Sequence, residues 1–110
     1  MKIDTSPYVQ FAKETLGLEF KNIEVLITAF THRSYVNEHK KTVQEHNERL
    51  EFLGDAVLEL AVTRYLYSNF EEPEGILTNW RSALVRTESI GAAAVRLDFE
   101  KMLRLSRGEK

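Results

Sequence analysis

"HNERLEFLGD", residues His46 to Asp55, decides the reading of the chain, because it sets Glu48, Glu51 and Asp55 into a stretch that otherwise reads as a buried helix. At 100° per residue, Glu48, Glu51, Asp55 and Glu59 fall within about 80° of one another and share a face. Leu50, Leu53, Val57 and Leu60 lie opposite, an ordinary amphipathic pattern. Past Asp55 the polar face gives way: Val62 and Leu66 continue the carboxylate row, and Phe52 and Leu58 border it. A helix apolar on nearly every side is expected to be central and packed all round, with its carboxylates at the mouth of a core.

Carboxylates in that position need a partner. Burying them unpaired costs several kcal/mol, and the like charges of Glu51 and Asp55, four residues apart, cost roughly 0.2–0.5 kcal/mol even in solvent. Arg49 and Arg64 of the same helix project about 100° and 160° away from Glu48. Basic residues elsewhere, a divalent cation and a solvated acidic face all remain open on periodicity alone. An oxygen-only cluster suits a hard ion, Mg²⁺ or Mn²⁺, among the metals. Gly54 lowers helix stability by about 1 kcal/mol relative to alanine. It predicts a close backbone approach beside Asp55, the alternative being a merely tolerated glycine.

Working outward, every long periodic stretch has the helical period and no strand finds support. Ser6-Pro7 reads as a helix start, with Ser6 as the cap, and Gly17 as its stop. Asn22 can cap a second helix, Ile23 to about Phe30, whose inner face is Ile23, Leu26, Ile27 and Phe30. "NEHKKTVQEH", Asn37 to His46, is almost wholly polar and reads as an exposed connection. The third and longest helix runs from about Asn47 to Ser68. "EEPEG", Glu71 to Gly75, breaks the pattern. A fourth helix, about Leu77 to Arg86, points Leu77, Trp80 and Leu84 inward, and Thr87 can cap a fifth running to about Leu97. The tail from Phe99 alternates apolar and basic residues without a clear periodicity.

The 110 residues, 43% of them hydrophobic, suffice for one domain with a core. With no cysteine there is neither a disulfide framework nor a thiolate metal site, which suits a reducing cytoplasm. No stretch has the apolar length of a signal peptide or a membrane span, so a soluble cytoplasmic protein with no membrane partner is expected. Net charge is −2 but unevenly spread: 8 Lys/Arg against 13 Asp/Glu up to Trp80, then 7 against 4. That split fits an acidic catalytic centre beside a strip that binds a polyanion, and equally a solvated surface.

"NERLEFLGDAVL", Asn47 to Leu58, resembles the signature of the ribonuclease III family of double-stranded-RNA endonucleases. "AFTHRSY", Ala29 to Tyr35, precedes it and "RSALVRTESIGAAAVRLDFEKMLRLSRGE", Arg81 to Glu109, follows it in the family's order, so the likeness covers the chain from about Phe11 onward. The resemblance implies an all-α endonuclease domain that forms a homodimer, with duplex RNA lying in a valley between the subunits. Residues 1–110 would be part of such a domain, without the family's double-stranded-RNA-binding domain. Glu51 and Asp55 would be ligands of a catalytic Mg²⁺, with Mn²⁺ as a substitute and no organic cofactor. Glu48 and Glu74 would be supporting acids of the valley, and Phe52 would insert into the partner subunit. Products would carry 5′-phosphate and 3′-hydroxyl ends. Arg33, Arg81, Arg86, Arg104 and Arg107 are candidates for phosphate contact, or for surface and core cations. By the same resemblance the family continues past "RGE" into a helix with an Asp and a Glu three residues apart that complete the metal site. Ending at Lys110, the chain is expected to bind Mg²⁺ weakly, to cut little or no RNA, and to expose the apolar side of its signature helix.

His32, His39 and His46 are seven apart, but no predicted helix aligns them; a hydrogen-bonded His32 and two solvated histidines are expected. Trp80 and the tyrosines and phenylalanines other than Phe52 read as core. Two rivals stand beside the nuclease. One is a noncatalytic RNA-associated or dimerisation module of the same fold. The other is a helix-turn-helix DNA binder, which the acidity of the best-defined helix disfavours.

Overall fold

One long helix and several short ones, two of them capped by local side chains, make up the computed structural model, which describes residues 4–43 and 45–109. In chain order they are α1 (Ser6–Phe11), a π-helical continuation (Ala12–Leu16), α2 (Ile23–Ala29), α3 (Arg33–Glu38), α4 (Glu48–Asn69), α5 (Glu74–Val85) and α6 (Thr87–Arg96). 3₁₀ turns follow at Phe99–Met102 and Arg107–Glu109. Among the described residues no strand forms; one isolated parallel bridge joins Thr31 to Arg104. The all-α expectation holds. The chain divides into two compact units, one built from the residues up to Leu50 and from Phe99 onward, the other spanning Glu51–Asp98.

In the first unit the local signals hold with adjustments. Ser6 is the first helical residue rather than the cap: Asp4 Oδ1 accepts the Ser6 N–H at 3.0 Å, and Thr5 in the cap position uses no side chain. That bond to Ser6 holds the Asp4 carboxyl below its ordinary pKa. The helix ends at Gly17, as expected, with φ +66°, the left-handed conformation that glycine adopts without a Cβ penalty. Asn22 caps α2, its Oδ1 accepting the Glu24 N–H at 3.1 Å. Leu26, Ile27 and Phe30 are buried and Ile23 packs at the edge, so the inner face is the expected one.

This unit holds a real core. Tyr8, Phe11, Ala12, Leu26, Ile27, Phe30 and Met102 are buried together, with Phe99 against them. The rings of Phe11, Phe30 and Phe99 meet edge to face, with centroids 5.3 to 5.8 Å apart, an arrangement that adds to the area they bury. The tail from Phe99 is therefore an integral part of this core.

α3 is a departure from the sequence reading, which left Arg33–Glu38 without a helix. Six residues are too few for a periodic signal, and the start is set by an uncommon cap, His32, whose Nδ1 accepts the Ser34 N–H at 3.1 Å. Nor is the segment from Asn37 to His46 simply exposed: His39 is half-buried, stacked on Tyr35 with centroids 4.0 Å apart and its Nδ1 2.9 Å from the Tyr35 carbonyl. His46 is half-buried as well, with Nδ1 near the Glu48 N–H. Gln44 of this segment lies outside the described residues.

In the second unit burial is sparse. Leu66 is the one buried side chain of α4, and α5 and α6 bury none. The expectation of a helix packed on every side is corrected: Phe52 is 83% exposed, and Leu53, Val57 and Leu60 are exposed too. The described residues do not cover these side chains, in keeping with the expected exposure of the apolar side. Trp80 and Leu84, expected inward, are also partly open. Trp80 does meet Phe70 edge to face at 5.2 Å. Thr87 is the first residue of α6 rather than its cap; Arg86 holds the cap position, and Ser89 Oγ donates to the Ala83 carbonyl at 2.7 Å.

Tyr8 offers a test of the first unit. Its buried hydroxyl donates to the Met102 carbonyl at 2.9 Å, and burial raises the phenol above its ordinary 10.0, with the Arg104 charge opposing the rise. A group whose folded pKa is raised contributes stability that is complete below the unfolded value and falls away as pH climbs past it. Thermal melts are expected to show stability dropping from about pH 10 upward, with a weaker drop in Tyr8→Phe. That variant is expected to cost about 1 kcal/mol at neutral pH, since the Met102 carbonyl loses its donor.

Candidate active site

The carboxylate row lies on α4, whose helical course brings Glu48, Glu51, Asp55 and Glu59 round to one side, as their spacing requires. All four are exposed. The two outer members have cationic partners from other elements. Arg33 Nη1 lies 3.3 Å from Glu48 Oε1, and Arg81 Nε lies 3.7 Å from Glu59 Oε1 while its Nη1 donates to Thr63 Oγ1 at 3.0 Å. The countercharge for the row's ends is thus basic residues elsewhere, one of the open alternatives. Both pairs are half in solvent, so each contributes on the order of 0–1 kcal/mol.

The inner pair differs. Among the described residues, Glu51 and Asp55 have no ion-pair or hydrogen-bond partner. Two hard oxygen donors one turn apart, free of competing cations, fit a divalent ion such as Mg²⁺, which commonly takes one or two protein carboxylates and fills its other positions with water or phosphate. No cluster of three or more ligating side chains occurs among the described residues. The fit is therefore to a two-carboxylate partial site. Gly54 does not report a close backbone: a Cβ placed there would meet nothing within 4 Å, so the tight packing read from it is corrected.

Glu74 opens α5 as its first residue, where the helix dipole favours an acid. With Thr63, Leu66, Tyr67, Leu77, Thr78 and Arg81 it lines a cleft of about 330 Å³ between α4 and α5. Phe52 projects from α4 into solvent. The remaining arginines separate by environment. Arg86 sits between α5 and α6 with Nε 3.8 Å from Glu88, exposed. Arg107 is exposed, its backbone N–H directed to Glu38 Oε2 at 3.4 Å. Arg104 is half-buried with its guanidinium 4.3 Å over the Tyr35 ring.

Sequence reasoning missed the work of "THRSY". Thr31 is buried, 1% exposed, its Oγ1 donating to the Ile27 carbonyl at 2.6 Å. Around it Arg104 N–H donates to the Phe30 carbonyl at 2.8 Å, His32 N–H to the Arg104 carbonyl at 3.0 Å, and Asn47 N–H to the Thr31 carbonyl at 2.9 Å. Ser34 Oγ accepts the Ser106 N–H at 2.9 Å. Only the Thr31 hydroxyl bond is local; the others join residues from 16 to 74 positions apart, so no spacing rule could have found them.

Residues 22–110 match a family model described as Ribonuclease-III-like. A Ribonuclease 3 of Oceanobacillus iheyensis is 54% identical over 99 residues, 89% of this chain and 43% of that protein. One of Anoxybacillus flavithermus is 50% identical over 107 residues, 94% of this chain and 45% of that protein. The chain thus spans less than half the length of these relatives. Two structures of the nuclease domain of ribonuclease III from Campylobacter jejuni superpose with TM-scores of 0.79 and 0.74, at 40% and 38% identity. Each covers 92% of this chain, and this chain covers 67% and 65% of theirs. The first is described as showing structural flexibility in a region involved in dimer formation.

Two outcomes test this geometry. Gly54→Ala is expected to stabilise the chain by about 0.5–1 kcal/mol, because the methyl meets open space and the helix gains propensity; denaturant unfolding measures it. A double-mutant cycle on Arg33 and Glu48 is expected to return a coupling of no more than about 1 kcal/mol, vanishing in high salt.

Proposed function

The chain belongs to the ribonuclease III-like family, and on that premise we propose that it forms part of an endonuclease domain that cleaves double-stranded RNA as a homodimer with Mg²⁺. The observation that carries the reading is the inner pair of the row, Glu51 and Asp55, exposed and unpaired between two ion-paired neighbours.

The reaction is hydrolysis of the bond between phosphorus and the 3′ oxygen: water adds to phosphorus, the 3′ oxygen leaves with a proton, and the ends are 5′-phosphate and 3′-hydroxyl. A divalent ion, held by Glu51 and Asp55, would supply an activated water and offset the charge developing on the leaving oxygen. The chain's own residues do the rest. Glu48 and Glu59, tied to Arg33 and Arg81, flank the pair without competing for the same cations. Arg86 and Arg107, exposed, supply positive charge for a phosphate backbone, and a duplex would be recognised by shape, phosphates and 2′-hydroxyls rather than base edges. Phe52 at 83% exposure supports an anchoring role in a partner subunit, and Leu53, Val57 and Leu60, exposed on the other side of the helix, leave apolar surface that another protein surface can cover. Among the described residues no helix is long and apolar enough to cross a membrane; we place the protein in the cytoplasm.

The test is a cleavage assay on a perfect RNA duplex with Mg²⁺ titrated from zero. It is run on this chain alone and on the chain completed with the remainder of the Oceanobacillus relative. Little or no cleavage is expected from the 110 residues, and Mg²⁺-dependent cleavage from the completed protein. Asp55→Asn in the completed protein is expected to lower the rate by roughly a hundredfold or more, the scale of a lost metal ligand or its support. Cleavage indifferent to Asp55→Asn would remove the catalytic reading and favour the noncatalytic module.

A further inference from the structure

We propose that Arg104 binds one backbone phosphate of duplex RNA, an inference that rests on the double-stranded-RNA reading above and lies wholly within the first unit. Two arginines are half-buried among the described residues, Arg81 and Arg104. Arg81 has Glu59 at 3.7 Å, whereas Arg104 forms no ion pair with any described carboxylate. Its Nε is buried and has no hydrogen-bond partner among the described residues. A guanidinium drawn partly out of water without an anion is an incomplete arrangement, because a charge that loses hydration is normally compensated by a partner.

The side chain is nevertheless held in place. The Arg104 N–H donates to the Phe30 carbonyl at 2.8 Å, and its carbonyl accepts from the His32 N–H at 3.0 Å. The guanidinium carbon lies 4.3 Å from the centroid of Tyr35, and the other stacking partner of that ring is His39, at 4.0 Å. A guanidinium laid over an aromatic ring keeps its N–H donors in its own plane, clear of the ring. Nε alone among them is shut away from solvent without a partner, so the Nη groups form the end open to a ligand.

The neighbouring charges indicate what that ligand is. Arg33 is taken up by Glu48. The other charged side chains of residues 33–43 and 104–108 are Lys40, Lys41, Arg104 and Arg107, against Glu38 alone. Glu38 accepts the Arg107 N–H at 3.4 Å, which brings the basic tail against the end of α3. An excess of cations around an open guanidinium suits a polyanion, and the planar fork of arginine matches the two free oxygens of a phosphodiester.

The probe is a short blunt-ended RNA duplex in EDTA, so that neither cleavage nor a metal ion enters, and its binding to the chain is read by fluorescence anisotropy over a series of salt concentrations. Arg104→Met, which keeps an unbranched stem beside Tyr35, is expected to weaken binding roughly tenfold and to lower the slope of log Kd against log salt by about one, with the circular dichroism spectrum retained. Arg104→Lys keeps the charge and is expected to keep the slope. On the unsubstituted chain, the nitrogen-15 resolved Nε–H signal of Arg104 is expected to shift saturably as duplex is added, a measurement that stands even where Arg104→Met fails to fold. An unmoved signal, or an Arg104→Met chain with the full salt slope and a lower melting temperature, would make Arg104 a structural cation and overturn the proposal. The nuclease reading would survive either result, since Asp55→Asn in the completed protein tests it separately. A chain that binds no duplex at all would also overturn the proposal, and the cleavage assay would then decide the nuclease reading by itself.

Discussion

The first unit turns on a small piece of backbone, Phe30 to His32, held in place by one buried hydroxyl. Thr31 Oγ1 returns to the carbonyl of Ile27, so the polar group that ends α2 inside the core is satisfied by the turn it closes. With the side chain settled, the backbone groups of the corner are free for long-range use: one edge takes Arg104 of the returning tail, and the Thr31 carbonyl takes Asn47 at the threshold of α4. A buried threonine thus ties together two segments that lie 57 residues apart in the chain, Asn47 and Arg104. Replacing it with an apolar residue of similar size would leave the Ile27 carbonyl without that donor, which is why a hydroxyl is wanted here.

Burial is distributed very unequally. The first unit has interlocked aromatic rings and a tail that completes its core. The helices of the second expose Phe52, Leu53, Val57, Leu60, Leu84 and Val95. Exposed apolar side chains in such number usually mark a place where another surface packs. On α4 the exposed Leu53, Val57 and Leu60 lie on the side away from Glu51 and Asp55, so the helix presents its acids and its apolar residues in opposite directions. Membership in the ribonuclease III-like family and superposition on ribonuclease III nuclease domains fix the fold; the proposed chemistry rests on the inner carboxylates.

How much was legible in the sequence depended on the range of the interaction. Local events were read well: the Asn22 cap, the Gly17 stop, the α2 inner face and the long acidic helix each follow from neighbours within four residues. Near misses came where two local candidates competed, as when Asp4 rather than Ser6 satisfied the first turn. α3 was illegible because six residues carry no period and a histidine caps them. The packing of α4 was misjudged because an apolar pattern states what a helix could bury, not what the chain supplies to bury it. Of the site, the residue types and their shared face were evident, whereas the ion pairs to Arg33 and Arg81 are contacts between segments that only the fold brings together.

Native-state hydrogen exchange tests the central claim most directly. The amides of His32, Asn47 and Arg104 all close on the Thr31 corner, so the account expects them to open with one common free energy, and Thr31→Val to lower all three together. Exchange of the Arg104 amide at the rate of an open loop, with His32 and Asn47 still protected, would show that the tail and the helix start are held independently and would contradict it.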